Sequence, residues 1–285
     1  MSNIYLGCAV WGHRPWVGGF LPTGIRPAEM LRAYGQRLTT VEVNSTFYAL
    51  PDQATVERWA EDTPPGFRFC PKVSRDVSHG GKLAGTEAAT ELFAGRIRSF
   101  GDRLGPAFIQ MPPTYGPDML DDLAGWLERW PADLRLAVEV RHREWFTAAG
   151  AAALDTLLNE RRHGRVVVDV RPINTGATSD PIIVAARVKK PNVPLHTAVT
   201  APWSLVRFMG HPEAAINAPL IEEWAGRLKT WSELSVESYV FMHCPVEDLS
   251  PEWCRMLADR LIEAGAPAPI PDPPAPLRQA SMFDL

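Results

Sequence analysis

The chain is expected to fold as an α/β protein, a TIM-like (β/α)8 barrel with a parallel sheet, followed by a disordered Pro-rich C-terminal tail. Three observations lead there. With 285 residues, 46% of them apolar, the chain can bury one large core, a size common among α/β barrels. Short β-rich runs recur along it, separated by segments of helical patterning. Strand alternating with helix in this way is the signature of a parallel barrel rather than a sandwich.

The strands are read at Ile4–Trp11, Thr40–Thr46, Arg68–Val73, Ala107–Met111, Arg135–Arg141, Arg165–Val170, Leu205–Met209 and Tyr239–Cys244. The helices are read at Ala28–Arg37, Gln53–Glu61, Ala88–Arg103, Met119–Arg129, Ala149–Glu160, Ile221–Ser232 and Pro251–Glu263. Between strands six and seven, Pro172 to Pro202 shows no clear helix. Within it Ile182–Val188 reads as an extra strand or part of a lid, so one helix is expected to be missing or remodelled. The barrel is expected to span residues 1–263, with a Pro-rich linker at 264–276 and a terminal peptide at 277–285.

A formal net charge of −4 provides no whole-protein field for nucleic acid, so a polyanion needs a local basic site. Cys8, Cys70, Cys244 and Cys254 form no Cys-x-x-Cys pair, which argues against a zinc ribbon or a disulfide framework. The N-terminus has neither a basic start nor an apolar signal core, and no apolar run approaches the ~20 residues of a membrane span. A cytoplasmic protein with reduced cysteines and no membrane association is expected.

Side chains alternate along a strand, so polar residues within strands are informative. Glu42 and Asn44 share one face of strand two, and Glu139 and Arg141 share one face of strand five. Lys72, Gln110, Asp169, Arg207 and His243 stand near the C-terminal ends of their strands. Burying many charges for stability alone gains little, because desolvation offsets most of the Coulomb attraction. The C-terminal mouth is where such barrels place their chemistry. Glu42, Glu139, Asp169 and His243 are therefore the candidate catalytic groups. Asn44, Lys72, His79, Gln110, Arg141, Arg207 and Trp11 are the candidate substrate-binding groups, His79 reaching in from the third βα loop. The structural alternatives are a Glu139–Arg141 salt bridge and pairing of Asp169 with Arg171 or Arg207.

An excess of cation over carboxylate favours an anionic small molecule or nucleic-acid fragment, and carboxylates in different environments can divide acid and base work. A divalent metal is the competing expectation, because Glu42, Glu139, His142, Asp169 and His243 are its usual ligand types. No His-x-His or His-Glu-x-x-His spacing supports it, and His142 shares the outward parity of Val138 and Val140. Trp11, Trp16, Trp145 and Phe47-Tyr48 fall near strand ends, where an aromatic rim could stack a sugar or base.

The run Val41-Glu42-Val43-Asn44-Ser45-Thr46-Phe47-Tyr48, followed by Pro51, Trp59 and Thr63-Pro64, resembles the YecE-like family, domain of unknown function seventy-two. Gln110-Met111-Pro112-Pro113, Ala137–His142 with Trp145, and Val206–Gly210 continue the resemblance in order over roughly residues 4 to 245. It implies a TIM barrel and no established activity. Family members tend to end strand eight in a pair of asparagines, where this chain has Met242-His243-Cys244-Pro245. A titratable ring thus stands where an amide is usual.

Six of the thirteen linker residues are proline, which favours extended polyproline II. Beyond them Gln279-Ala280-Ser281-Met282-Phe283 resembles the bacterial sliding-clamp-binding motif. Gln279 would bond at the pocket rim, while Met282 and Phe283 would be the apolar anchors. The resulting expectation is an acid/base enzyme, a hydrolase, acting on an anionic phosphate- or sugar-bearing substrate and brought to DNA processing or repair by a clamp. The alternatives are a non-catalytic anion- or protein-binding adaptor and a small-molecule sugar isomerase or hydrolase.

Overall fold

The computed structural model describes residues 1–267 together with residues 270 and 271. Its strands are β1 (Ile4–Cys8), β2 (Thr40–Val43), β3 (Arg68–Pro71), β4 (Ala107–Gln110), β5 (Leu136–Glu139), β6 (Gly164–Asp169), β7 (Trp203–Met209) and β8 (Glu237–His243). They pair in the order β3-β2-β1-β8-β7-β6-β5-β4, and every pairing is parallel. The ends of the sheet, β3 and β4, meet through single bridges from Phe69 to Leu104 and from Lys72 to Phe108, which nearly closes the barrel.

Parallel neighbours require a crossover, and helices supply it. In chain order they include α1 (Met30–Gly35), α2 (Gln53–Glu61), α3 (Glu87–Ile97), α4 (Leu120–Leu127), α5 (Ala148–Arg161), α6 (Pro181–Lys189), α7 (Ala214–Glu233) and α8 (Ser250–Glu263). The excursion between β6 and β7 therefore keeps its helix, and Ile182–Val188 is helical rather than an extra strand. The β-branched run looks like a strand, yet Asp180 caps the helix by accepting from Ile182 N at 2.8 Å, and Pro181 occupies its first turn. Arg187 ties the segment down through the carbonyls of Ile173, Thr175 and Gly176.

Alternation sorts the strands into two apolar layers. Leu6, Val41, Phe69, Ile109, Val138, Val206 and Val240 face the helices and belong to the larger buried cluster. Tyr5, Cys70, Phe108, Ala137, Val166, Val168, Leu205, Tyr239 and Phe241 fill the barrel interior. Gly7 lets β1 approach β2, since a Cβ there would lie 1.9 Å from the Thr40 carbonyl oxygen. Tyr34 of α1 locks that contact, its hydroxyl donating to Thr40 O at 2.9 Å and accepting from Cys8 N at 2.7 Å. Among the described residues no helix is long and apolar enough to cross a membrane. The peptide carrying Gln279, Met282 and Phe283 lies outside the described residues.

Candidate functional site at the barrel mouth

One guanidinium organises the C-terminal mouth. Arg207 projects inward from β7, its donors spanning the barrel to carboxylates on β2 and β5. Its Nε donates to Glu42 Oε2 and its Nη2 to Glu42 Oε1, both at 2.8 Å, while Nη1 donates to Glu139 Oε2. Glu42 Oε1 also accepts from Asn44 at 2.7 Å, and Glu139 Oε1 accepts from Arg141 Nε at 2.8 Å. The Gln110 side-chain carbonyl gathers Arg141 Nη2 at 2.7 Å and Lys72 Nζ at 3.2 Å. Glu42 and Glu139 are wholly buried, and the network joins β2, β3, β4, β5 and β7.

These charges set one another's protonation. Burial alone would raise the Glu42 and Glu139 carboxyls. At Glu42 the Arg207 charge and the hydrogen bonds from His243 and Arg207 outweigh it and hold the group well below its ordinary value. At Glu139 those of Arg207, Arg141 and Lys72 bring it to about 2. Burial lowers His243 to about 4 despite the attraction of Glu42. A neutral imidazole meeting a carboxylate must then carry its proton on Nε2, which donates to Glu42 Oε2 across 3.2 Å.

Lys72 is lowered to about 8, first by burial and then by Arg207, and its ammonium sits 4.0 Å from the centre of the Phe47 ring. His79 meets that ring edge to face at 5.0 Å, its Nδ1 2.8 Å from Ser78 Oγ. Burial, then Lys72 and Arg141, keep it below the ordinary histidine range. Trp11 lies beside the network in a cavity of about 400 Å³, lined also by Glu42, Asn44, Trp59, His13 and Glu247. Trp11 and Trp59 meet edge to face at 5.0 Å. Trp16 and Trp145 are buried packing residues, so they do not contribute to a stacking rim.

Asp169 is not brought to this site. In β6 the inward residues are Val166 and Val168, while Asp169 stands in register with Phe208 and faces the helices. It accepts from Trp224 Nε1 of α7 at 2.8 Å and takes Arg171 in a fork, the neighbouring-residue pairing rather than one with Arg207. His142 also stands apart, accepting from Glu144 N at 3.3 Å. Among the described residues no three His, Cys, Asp or Glu side chains converge as a metal site, so the proposed donor set for a divalent ion does not assemble.

The fold adds groups that strand patterning could not find. Lys190 follows α6, and burial and the nearby Arg207 lower its ammonium to about 8. Glu247 and His13 come from the turns after β8 and β1. Loop positions carry no parity, so only barrel closure reveals where they point.

Comparison with known proteins agrees with this architecture. The family model described as "Protein of unknown function DUF72" matches residues 5–278. The UPF0759 protein YecE of Escherichia coli strain K12 is 33% identical over 285 residues, covering 98% of this chain and 100% of its own. The UPF0759 protein YunF of Bacillus subtilis strain 168 is 25% identical over 152 residues, about half of each chain (50% and 52%). A DUF72 family protein from Enterococcus faecalis V583 shares the fold with a TM-score of 0.69 at 21% identity, over 92% of this chain and 98% of that one. Another from Thermotoga maritima MSB8 aligns with a TM-score of 0.64 at 22% identity, over 92% and 99%. The chain therefore belongs to the DUF72 family, proteins of unknown function built on a TIM-like barrel.

Proposed function

We propose that the mouth binds the anionic group of a phosphate- or sugar-bearing small molecule and that the protein is an acid/base enzyme, a hydrolase, acting on it. One observation carries the reading. Around the mouth the ion-paired carboxylates Glu42 and Glu139 and the partly ionised Glu247 meet four cations, Arg207, Arg141, Lys72 and Lys190, a surplus of between one and two positive charges. Lys72 and Lys190 make no ion pair among the described residues, so their ammoniums are available to a ligand. Trp11 and Trp59 offer an apolar wall for a sugar or base in the adjoining cavity. In this reading Glu42, Glu139 and His243 hold Arg207 and the field of the mouth, and Asp169 supports α7.

The test is calorimetric titration with inorganic sulfate, pyrophosphate and sugar phosphates, followed by assay of those that bind for release of phosphate or sugar. Each of Lys72→Met and Lys190→Met should weaken binding about tenfold, the loss of one charge-assisted hydrogen bond. Unchanged affinity in both variants would dismiss the anion site. Saturation of Glu42 and Glu139 favours a second reading, an adaptor that holds an anion without turnover. It is distinguished by binding with no product in the same assay. Attachment to a sliding clamp through Gln279, Met282 and Phe283 is a separate proposal resting on sequence alone. It fails if the terminal peptide does not bind a purified clamp.

A further inference from the structure

Two buried carboxylates dominate the mouth, and neither has an oxygen to spare. Both oxygens of Glu42 are taken by Arg207, Asn44 and His243, and both oxygens of Glu139 by Arg207 and Arg141. A proton could reach either group only by breaking an ion pair with a guanidinium. Acid/base work needs a carboxyl that faces the ligand and exists in both forms near the working pH.

Glu247 meets that need. It opens the turn Glu247–Leu249 after β8, and its backbone carbonyl is pinned by Trp16 Nε1 at 3.1 Å, so the side chain leaves from a fixed point. The side chain lines the same cavity as Trp11, Trp59, Asn44 and Glu42. Its Oε1 is buried beside the Ser250 hydroxyl, the two close enough to interact but not aligned as a well-formed hydrogen bond. No cation forms an ion pair with it among the described residues, and the nearby His13 is engaged by Asp248 at 2.6 Å.

We infer that Glu247, rather than Glu42 or Glu139, is the acid/base carboxyl of this mouth, giving a proton to a ligand held in the cavity and recovering one from water. The inference rests on the anion-binding reading above and assigns a role within it. In hydrolysis the Glu247 O–H bond would break as an O–H bond forms on the leaving oxygen, whose own bond to the phosphorus or sugar carbon breaks in the same step. The carboxylate left behind would then take the proton of the attacking water, whose hydroxyl joins the substrate. Water is the sole co-reactant, and the carboxyl ends as it began.

The surroundings support this role. Burial pushes Glu247 up to about 7, opposed by Ser250 of α8, His13 after β1 and Lys190 after α6, and reinforced by Glu42 of β2. The thiols Cys8 and Cys244 lie within range of its charge, both held above their ordinary values, chiefly by burial, and hence neutral. An anion arriving beside Lys190 would remove part of the cationic field that favours ionised Glu247. Anion binding should therefore drive proton uptake at this carboxyl.

The experiment uses the full chain and sulfate, whose charge is constant through the neutral range. Carbon-13 carboxyl resonances are followed against pH, with Glu247→Gln assigning the signal. A midpoint near 7 is expected, and one below about 5 would overturn the inference. Calorimetry with sulfate in two buffers of different ionisation enthalpy then counts protons. Wild type should take up a fraction of a proton near pH 7, and Glu247→Gln clearly less, keeping only the share drawn by Lys72 and Lys190, both lowered to about 8. Equal uptake in both proteins would equally defeat it. If sulfate does not bind at all, the anion-site reading fails, while the carboxyl titration still decides the state of Glu247.

Discussion

Replacing Arg207 by methionine keeps an unbranched stem but removes the guanidinium and with it every donor that it supplies. Three short bonds disappear, two to Glu42 and one to Glu139, and both carboxylates are wholly buried. Glu42 would keep Asn44 and His243, and Glu139 would keep Arg141. Removing one partner of a buried ion pair costs about 3–5 kcal/mol, a large share of the ~5–15 kcal/mol that holds a domain together. The pH dependence makes the prediction specific. In the native protein both carboxyls lie below their ordinary value of 4.5, so the stability they contribute is complete above that value. It is lost as pH falls, for Glu139 down to about 2. Without Arg207 burial would raise both groups, and protonation would relieve the variant as pH falls. Urea unfolding should show the destabilisation near neutral pH and a clear narrowing at about pH 5. A second change, Glu42→Gln, should recover part of the loss. A penalty under about 1 kcal/mol, or one that stays constant between the two pH values, would refute the view that these charges are sealed from water.

Other outcomes follow from the same geometry. Asp169→Asn should lower stability by about 1–3 kcal/mol in denaturant unfolding while leaving sulfate titration unchanged, because its partners Arg171 and Trp224 belong to the helix layer. Gly7→Ala forces a Cβ to within 1.9 Å of the Thr40 carbonyl oxygen; a loss of about 1–3 kcal/mol or more is expected by the same method. His243, held at about 4, should make stability decline as pH falls from the ordinary histidine value of 6.5 toward 4, and His243→Asn should flatten that limb in acid unfolding curves. Trp11→Ala should weaken a sugar phosphate more than sulfate in calorimetry, since only the former reaches the aromatic wall.

Much of this arrangement could be read from the residues in order. Alternation in β2 and β5 placed Glu42 with Asn44 and Glu139 with Arg141, because the valines between them fixed which face was apolar. The same reasoning could not orient β6, where valines occupy both faces and leave Asp169 without a reference. Its outward direction depends on Trp224, a partner far along the chain. Helix α6 was obscured because β-branched Ile182, Ile183, Val184 and Val188 carry strand propensity, which the Asp180 cap and the capped first turn override. Lys190, His13 and Glu247 come from connections, and their convergence follows from closing the sheet rather than from any local pattern.

The short helix between β6 and β7 has a consequence for how ligand choice could diversify. The floor beneath the ligand is braced across five strands, and altering it would disturb the barrel itself. Lys190 instead arrives on a surface excursion fastened largely by Arg187. On the same helix Ile182, Val184 and Val188 are solvent-facing. If the mouth holds an anion as proposed, exchanging that excursion would retune which molecules are accepted and leave the foundation untouched.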